Sequence, residues 1–156
     1  MLAGPASGAY ATQLQRLAER LGITASLHWT GMLHYDQKWG AFQSAAAFVL
    51  PSHQKNFGIA VAEALSCSTP VLLTHPVNIA ADIAAAGAGL VEHDTIPGIT
   101  NLLRRWLALD PTARAAMATE ARRCFLERYE ISNAALSITT TIRAAIHLRQ
   151  LVKTRR

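Results

Sequence analysis

Apolar residues in this chain come in short uninterrupted runs, which helical segments separate. Three such runs are AFVL at 47–50, PVLLT at 70–74 and GLV at 89–91, and they lack the alternating polar positions of a half-exposed strand. Uninterrupted runs are typical of strands in a parallel sheet that is covered on both faces. MLAG at 1–4 and SLHWTG at 26–31 predict two further short strands.

Helices are predicted between these strands and throughout the last third of the chain. They cover residues 10–21, 35–45, 58–67, 77–87 and 96–109, a segment that begins at Pro111, and residues 132–152. Short connections between alternating strands and helices favour the α/β class. The prediction is a Rossmann-like, doubly wound parallel sheet with helices on both faces and a helical C-terminus.

Length and composition favour one domain without structural disulfides or metal. The chain has 156 residues, and its two cysteines, Cys67 and Cys124, form neither a CxxC pair nor a disulfide framework. Its six histidines lack the HxxxH and HExxH spacings, so no metal is expected. Without a membrane-spanning run or a signal peptide, a cytoplasmic location is predicted, and peripheral contact with the inner membrane surface is left open.

Positive charge is concentrated in the C-terminal third. The net charge is +5, and residues 101–156 carry 11 basic and 4 acidic side chains. Such an excess suits an anionic membrane, a nucleotide phosphate or nucleic acid, but a solvated helix face is the commoner explanation. Because no aromatic residues are interleaved for base stacking, nucleic acid is not expected as a partner.

A candidate binding site lies where the strand at 47–50 passes into the helix at 58–67. The loop begins at Pro51 and ends at Gly58, which permits close backbone approach to a ligand at the amide-rich start of a helix. That helix carries one charged residue, Glu63, in an apolar setting. A buried carboxylate needs hydrogen-bond partners or a cation. A solvated helix edge or an ion pair with Lys55 is the alternative.

Several segments resemble family 4 glycosyltransferases, which have the GT-B fold. The similar positions are PS at 51–52, NFG at 56–58, EAL at 63–65 and PV at 70–71, and outside them AGP at 3–5, HWTG at 28–31, AAAFVLPS at 45–52, VNI at 77–79 and GAGLV at 87–91. The resemblance covers most of the chain and implies the C-terminal, donor-binding domain of such an enzyme.

The resemblance implies a nucleotide-diphosphate sugar as donor and partner, with no metal cofactor. By this similarity Glu63 accepts hydrogen bonds from the ribose hydroxyls. The backbone amides of Asn56, Phe57, Gly58 and Ile59 face the donor sugar and the diphosphate. The turn formed by Gly31, Met32 and Leu33 lies near the nucleobase.

Two positions depart from the family pattern. Lys55 occupies the place of the family's first glutamate, which implies a catalytic position with the wrong charge for an oxocarbenium-like transition state. Ser68 replaces the glycine that usually follows the cysteine of this segment.

The resemblance also implies that residues 1–156 form a single donor-binding domain that lacks its first strand-helix unit and the N-terminal acceptor domain. We therefore expect weak binding of nucleotide sugar and no transfer by the chain alone. A separate acceptor-binding domain is then the implied protein partner.

Three functional hypotheses remain at this point. The first is the donor half of a retaining glycosyltransferase that transfers sugar to a glycan or lipid-linked acceptor. The second is a non-catalytic nucleotide-binding or interaction module that has lost its chemistry. The third, binding of nucleic acid or an anionic membrane through the C-terminal arginines, rests on charge alone.

Overall fold

A computed structural model describes residues 1–5, 7–53 and 58–153, with side chains as far as residue 146 except at positions 134 and 137. The strands are β1 (Leu2–Ala3), β2 (Trp29–Gly31), β3 (Phe48–Leu50), β4 (Val71–Thr74) and β5 (Gly89–Glu92). The α-helices are α1 (Ala9–Arg20), α2 (Tyr35–Ser44), α3 (Ile59–Ser66), α4 (Ala80–Ala85), α5 (Ile96–Ala108), α6 (Pro111–Arg128) and α7 (Ile131–Lys153).

The chain folds into two compact units, Met1–Ala41 and Phe42–Arg156. In the first unit β1 pairs in parallel with β2. Helix α1 buries Ala11 and Ala18 on one side, and Gly22, with φ of 67°, follows its end.

The second unit contains a parallel sheet in the order β3-β4-β5. All four residues of β4 are buried, and they alternate between two clusters on opposite faces. Val71 and Leu73 pack with α3, α4 and α6, whereas Leu72 packs with Leu102 and Trp106 of α5. Helices therefore cover both faces of this sheet, which explains the uninterrupted apolar run in β4 and confirms the α/β class with parallel strands.

Three local predictions were wrong. Val49 of β3 is 39% exposed, because β3 is an edge strand of this sheet and its outer side is not covered by β4. The helix predicted over 77–87 is shorter, since residues 75–79 form turns before α4 begins. A short 3-10 helix, Thr24–Ser26, includes the first residue of the strand predicted over 26–31, and that strand begins only at Trp29.

Within the described residues, no helix combines the length and the apolarity needed to cross a bilayer.

Candidate functional site

The candidate site is built at the carboxyl ends of β3, β4 and β5. These strands are parallel, so the residues that follow them lie at the same edge of the sheet. The hydroxyl of Thr74, at the end of β4, donates a hydrogen bond of 2.6 Å to the carbonyl of Ser52, which follows β3. Thr74 is fully buried. The start of the loop after β3 is thus held by a residue of the central strand.

Helix α3 begins at this edge with an unusual backbone conformation. Gly58 precedes it with φ of 72° and ψ of 56°, in the left-handed region, and offers no side chain to cap the helix. The Val61 amide makes the first hydrogen bond of the helix, to the Gly58 carbonyl at 2.8 Å. Helix geometry leaves the amides of Ile59 and Ala60 without an acceptor inside the helix. They form a positive end that suits an anion.

Glu63 lies one helical turn after Ile59 and is half-buried. Its neighbours Val61, Ala64 and Leu65 have no exposed surface, so they fix α3 against the sheet. Residues four apart share a helix face, which places Glu63 on the same side of α3 as Ile59. The structure therefore brings together Gly58, Ile59 and Glu63 on one short, well-packed helix.

Part of the predicted site lies outside the described residues. Lys55, Asn56 and Phe57 belong to the segment 54–57, for which the structure gives no placement. Their roles, and the alternative ion pair between Lys55 and Glu63, stay predictions.

The predicted base-binding turn lies in the first unit and begins with Gly31, the last residue of β2. Gly31 has φ of 68°, and its carbonyl accepts a hydrogen bond of 2.9 Å from the amide of Gly4. Met32 is 56% exposed and Leu33 is half-buried. The turn thus follows the carboxyl end of a parallel strand, where ligands bind in such sheets.

The end of α3 explains how Ser68 replaces a glycine. Ser68 has φ of 60°, in the left-handed region that glycine adopts most easily. Its amide donates to Leu65 and the amide of Thr69 donates to Ala64, each at 3.0 Å, which is the hydrogen-bond pattern of a Schellman motif. The helix end keeps the conformation that a glycine would favour.

Sequence reasoning missed several residues at the same edge. Nδ1 of His53 lies 3.0 Å from Oδ2 of Asp94, and this hydrogen bond holds the pKa of Asp94 below its usual value. The ring centroids of His75 and His93 are 4.9 Å apart. The available signal was position, because each of these residues follows a predicted strand within a few residues.

A second missed feature is a set of hydrogen bonds between α5 and Glu92, the last residue of β5. Glu92 accepts hydrogen bonds of 2.7 Å from both Arg105 and Asn101 of α5. The bond from Arg105 is the main cause of a lowered pKa at Glu92.

Two open grooves in the described part of the chain do not include these residues. One open groove of about 560 Å³ is lined by residues of α6 and α7: Glu127, Asn133, Leu136, Thr140 and Thr141. Another, of about 530 Å³, is lined by Gln13, Arg16, Glu19 and Arg20 of α1. Neither has the convergent polar groups beside apolar walls that mark a ligand site. No three His, Cys, Asp or Glu side chains among the described residues are placed to hold a metal ion.

Comparison with known proteins places this arrangement in a family. The family model of glycosyl transferases group 1 matches residues 1–123. The D-inositol 3-phosphate glycosyltransferase of Corynebacterium jeikeium is 31% identical over 126 residues, which cover 78% of this chain and 30% of that protein. The protein of the same name from Streptomyces avermitilis is 30% identical over 115 residues, covering 72% of this chain and 25% of that protein. The chain thus spans about a quarter to a third of the length of these relatives.

Solved structures agree on the fold. Sucrose-phosphate synthase from Thermosynechococcus elongatus superposes with a TM-score of 0.75 at 20% identity, over 90% of this chain and 35% of that one. WaaG, a glycosyltransferase involved in lipopolysaccharide biosynthesis, gives 0.70 at 24% identity, over 86% of this chain and 35% of that one. Both are GT-B glycosyltransferases, which confirms the predicted GT-B fold.

Proposed function

The chain belongs to the group 1 glycosyltransferases, and from this membership we propose that it binds a nucleotide-diphosphate sugar as the donor half of a retaining sugar transferase. The observation that carries the proposal is the start of α3. Three features lie within six residues at the carboxyl edge of a parallel sheet. They are the left-handed Gly58, the amides of Ile59 and Ala60, which have no acceptor inside the helix, and the half-buried carboxylate of Glu63.

Each part has a chemical task in this proposal. The amides of Ile59 and Ala60 attract the diphosphate, because the N-terminus of a helix carries a partial positive charge. Glu63 accepts hydrogen bonds from the two ribose hydroxyls with its two carboxylate oxygens. Gly58 provides the left-handed backbone that starts α3, and it leaves room for Val61 and Val77, which a Cβ would approach to 3.1 and 3.4 Å.

In the first unit, the turn Gly31–Leu33 is the candidate contact for a nucleobase, because it lies at the carboxyl end of the parallel strand β2. The identity of the base is left to the experiment.

Nucleotide binding tests the proposal directly. Isothermal titration calorimetry with uridine, guanosine and adenosine diphosphates is expected to show binding of one of them at a Kd of about 0.1–1 mM. Glu63→Gln should weaken that binding about tenfold or more, because it removes the charge from the hydrogen-bonded acceptor. The matched control is Glu127→Gln, an exposed carboxylate that pairs with Arg123 at 3.0 Å on α6. Equal affinities in wild type and Glu63→Gln would contradict the role of Glu63.

Lys55 favours a second function, a nucleotide-binding module that does not transfer sugar. A cation is unsuited to the developing positive charge at the anomeric carbon of the donor. We infer that the chain alone binds nucleotide without measurable transfer. Lys55→Glu in a protein rejoined to an acceptor-binding domain discriminates between the two functions: a large gain in transfer indicates lost chemistry, whereas good transfer with lysine retained shows an active enzyme.

A further inference from the structure

The turn after β4 contacts both Ser52, which follows β3, and Gly58, which precedes α3, the helix that carries the proposed diphosphate site. On the upstream side, the buried Thr74 hydroxyl donates to the carbonyl of Ser52 at 2.6 Å. This bond satisfies a backbone acceptor just beyond β3, where no strand partner continues the ladder.

On the downstream side the same turn contacts the start of α3. The Val77 amide donates to the Thr74 carbonyl at 3.1 Å, which closes the turn. Val77 is 1% exposed, and a Cβ built on Gly58 would lie 3.4 Å from its Cγ1. The Val77 side chain therefore lies directly against the backbone of Gly58. Residues of one turn, Thr74 and Val77, thus contact both Ser52 after β3 and Gly58 before α3.

A weaker contact holds His53, the residue that follows Ser52. His53 is hydrogen-bonded to Asp94 after β5, with the two side chains 72% and 34% exposed. Exposed pairs of this kind contribute little to stability. The bond can still restrict the direction in which the chain leaves Ser52.

We propose that Thr74 is a positioning residue for the diphosphate site, acting through Ser52 and through Val77 on Gly58, with Asp94 as a secondary positioning residue through His53. The inference rests on the proposed function. A site whose flanks are fixed before the ligand arrives loses less conformational freedom on binding, so its affinity is higher. Small displacements of the α3 start would move the amides of Ile59 and Ala60 away from the phosphates.

The test compares Thr74→Val, Thr74→Ser and Asp94→Asn in the full 156-residue chain. Valine has nearly the same shape as threonine but lacks the hydroxyl, whereas serine keeps the hydroxyl and loses a methyl group. Amide chemical-shift titrations with uridine, guanosine and adenosine diphosphates measure the Kd and follow the Gly58 and Ile59 amides. Glu127→Gln on α6 is the control.

We expect Thr74→Val to weaken binding about tenfold, because the hydrogen bond from the Thr74 hydroxyl to the Ser52 carbonyl is lost. Thr74→Ser should bind with the wild-type Kd, and Asp94→Asn should raise the Kd about twofold, more than the scatter of repeated wild-type titrations. In Thr74→Val the Gly58 and Ile59 amide resonances should shift before any ligand is added, while in Thr74→Ser they should remain near their original positions.

Two failures are distinguishable. If wild type shows no titration with any diphosphate, the proposed function is overturned, and this inference with it. If wild type binds but Thr74→Val and Asp94→Asn bind equally well, the inference alone is overturned. Should Thr74→Val not fold, Asp94→Asn decides, since its exposed side chain is not needed for the core: wild-type affinity there overturns the inference.

Discussion

Helices α3 and α6 pack in the same core cluster but begin in opposite ways. Helix α6 starts with Asp110, whose carboxylate accepts a hydrogen bond of 2.8 Å from the Ala113 amide, followed by Pro111, which has no amide hydrogen. Helix α3 starts with Gly58, which has no side chain to accept one. At the start of α6 the side chain of Asp110 accepts a backbone hydrogen bond. At the start of α3 no Gly58 side chain can do so, and the backbone amides can bind a ligand.

The two helices also differ in how they are held. Helix α6 has 18 residues, of which only Ala121 and Cys124 are buried. Helix α3 has eight residues and would not be stable alone. Three of its residues, Val61, Ala64 and Leu65, are fully buried. Tertiary packing therefore fixes α3, and this rigidity lets its exposed start serve as a site.

The largest expected effect is on the free energy of unfolding, when a leucine is shortened in α3 or in α6. Leu65→Ala should lower the free energy of unfolding by about 2–5 kcal/mol, because Leu65 has no exposed surface and its removal leaves a cavity. Leu126→Ala is the matched change on α6, where the side chain is 43% exposed, and should cost less than about 1 kcal/mol. Urea unfolding measures both, and similar losses would show that α3 is not the more buried helix.

The next effect concerns the two helix starts. Gly58→Ala should cost about 1–2 kcal/mol, since alanine is strained at φ of 72° and its Cβ would lie 3.1 Å from Val61 Cγ2. Asp110→Ala should cost about 1 kcal/mol through the lost cap. Only the first is expected to weaken nucleotide binding. Thermal unfolding with and without ligand checks both parts, and equal ligand-induced shifts in the two variants would contradict the distinction.

A substitution at the end of α3, Ser68→Gly, is expected to stabilise the protein. Ser68→Gly should raise the free energy of unfolding by about 0.5 kcal/mol, because relief of the left-handed strain exceeds the extra freedom of glycine in the unfolded chain. Ala85→Gly, at the last residue of α4 in helical conformation, is the control and should lower stability by about 0.5–1 kcal/mol. Denaturation midpoints that fall in both variants would argue against the Schellman geometry at Ser68.

The smallest effect is a pH dependence at the sheet edge. Arg105 lowers the pKa of Glu92 below 4.5, so the folded state binds this proton less readily than the unfolded state. The stabilisation is complete above the unfolded value and is lost as the pH falls through the folded one. Glu92→Gln should therefore flatten the decline of stability below pH 4.5. Unfolding midpoints between neutral and acidic pH test this, with Glu127→Gln as the control, and an unchanged slope in Glu92→Gln would exclude the contribution.

The sequence predicted the larger features because they depend on local pattern. The uninterrupted apolar run of β4 and the start of α6 at Pro111 were readable from single segments. The position of Gly58 directly before α3 was readable in the same way, because it follows a strand and precedes an apolar helix.

Features that depend on contacts between distant segments were not predictable. Thr74 and Ser52 are 22 positions apart, and His53 and Asp94 are 41 apart. Only the alignment of parallel strand ends brings them together. The exposure of Val49 likewise depends on which strand lies at the edge, which the local pattern does not contain.

The most direct test of the central claim asks whether Glu63 contacts the ribose. The measurement is a double-mutant cycle of binding, with wild type and Glu63→Gln each titrated with the preferred nucleoside diphosphate and with its 2′,3′-dideoxy form. We predict that loss of the hydroxyls weakens wild-type binding about tenfold but has little effect on Glu63→Gln, a coupling of about 1–2 kcal/mol. Equal losses in both proteins would contradict the account, because the carboxylate would then act without touching the sugar ring.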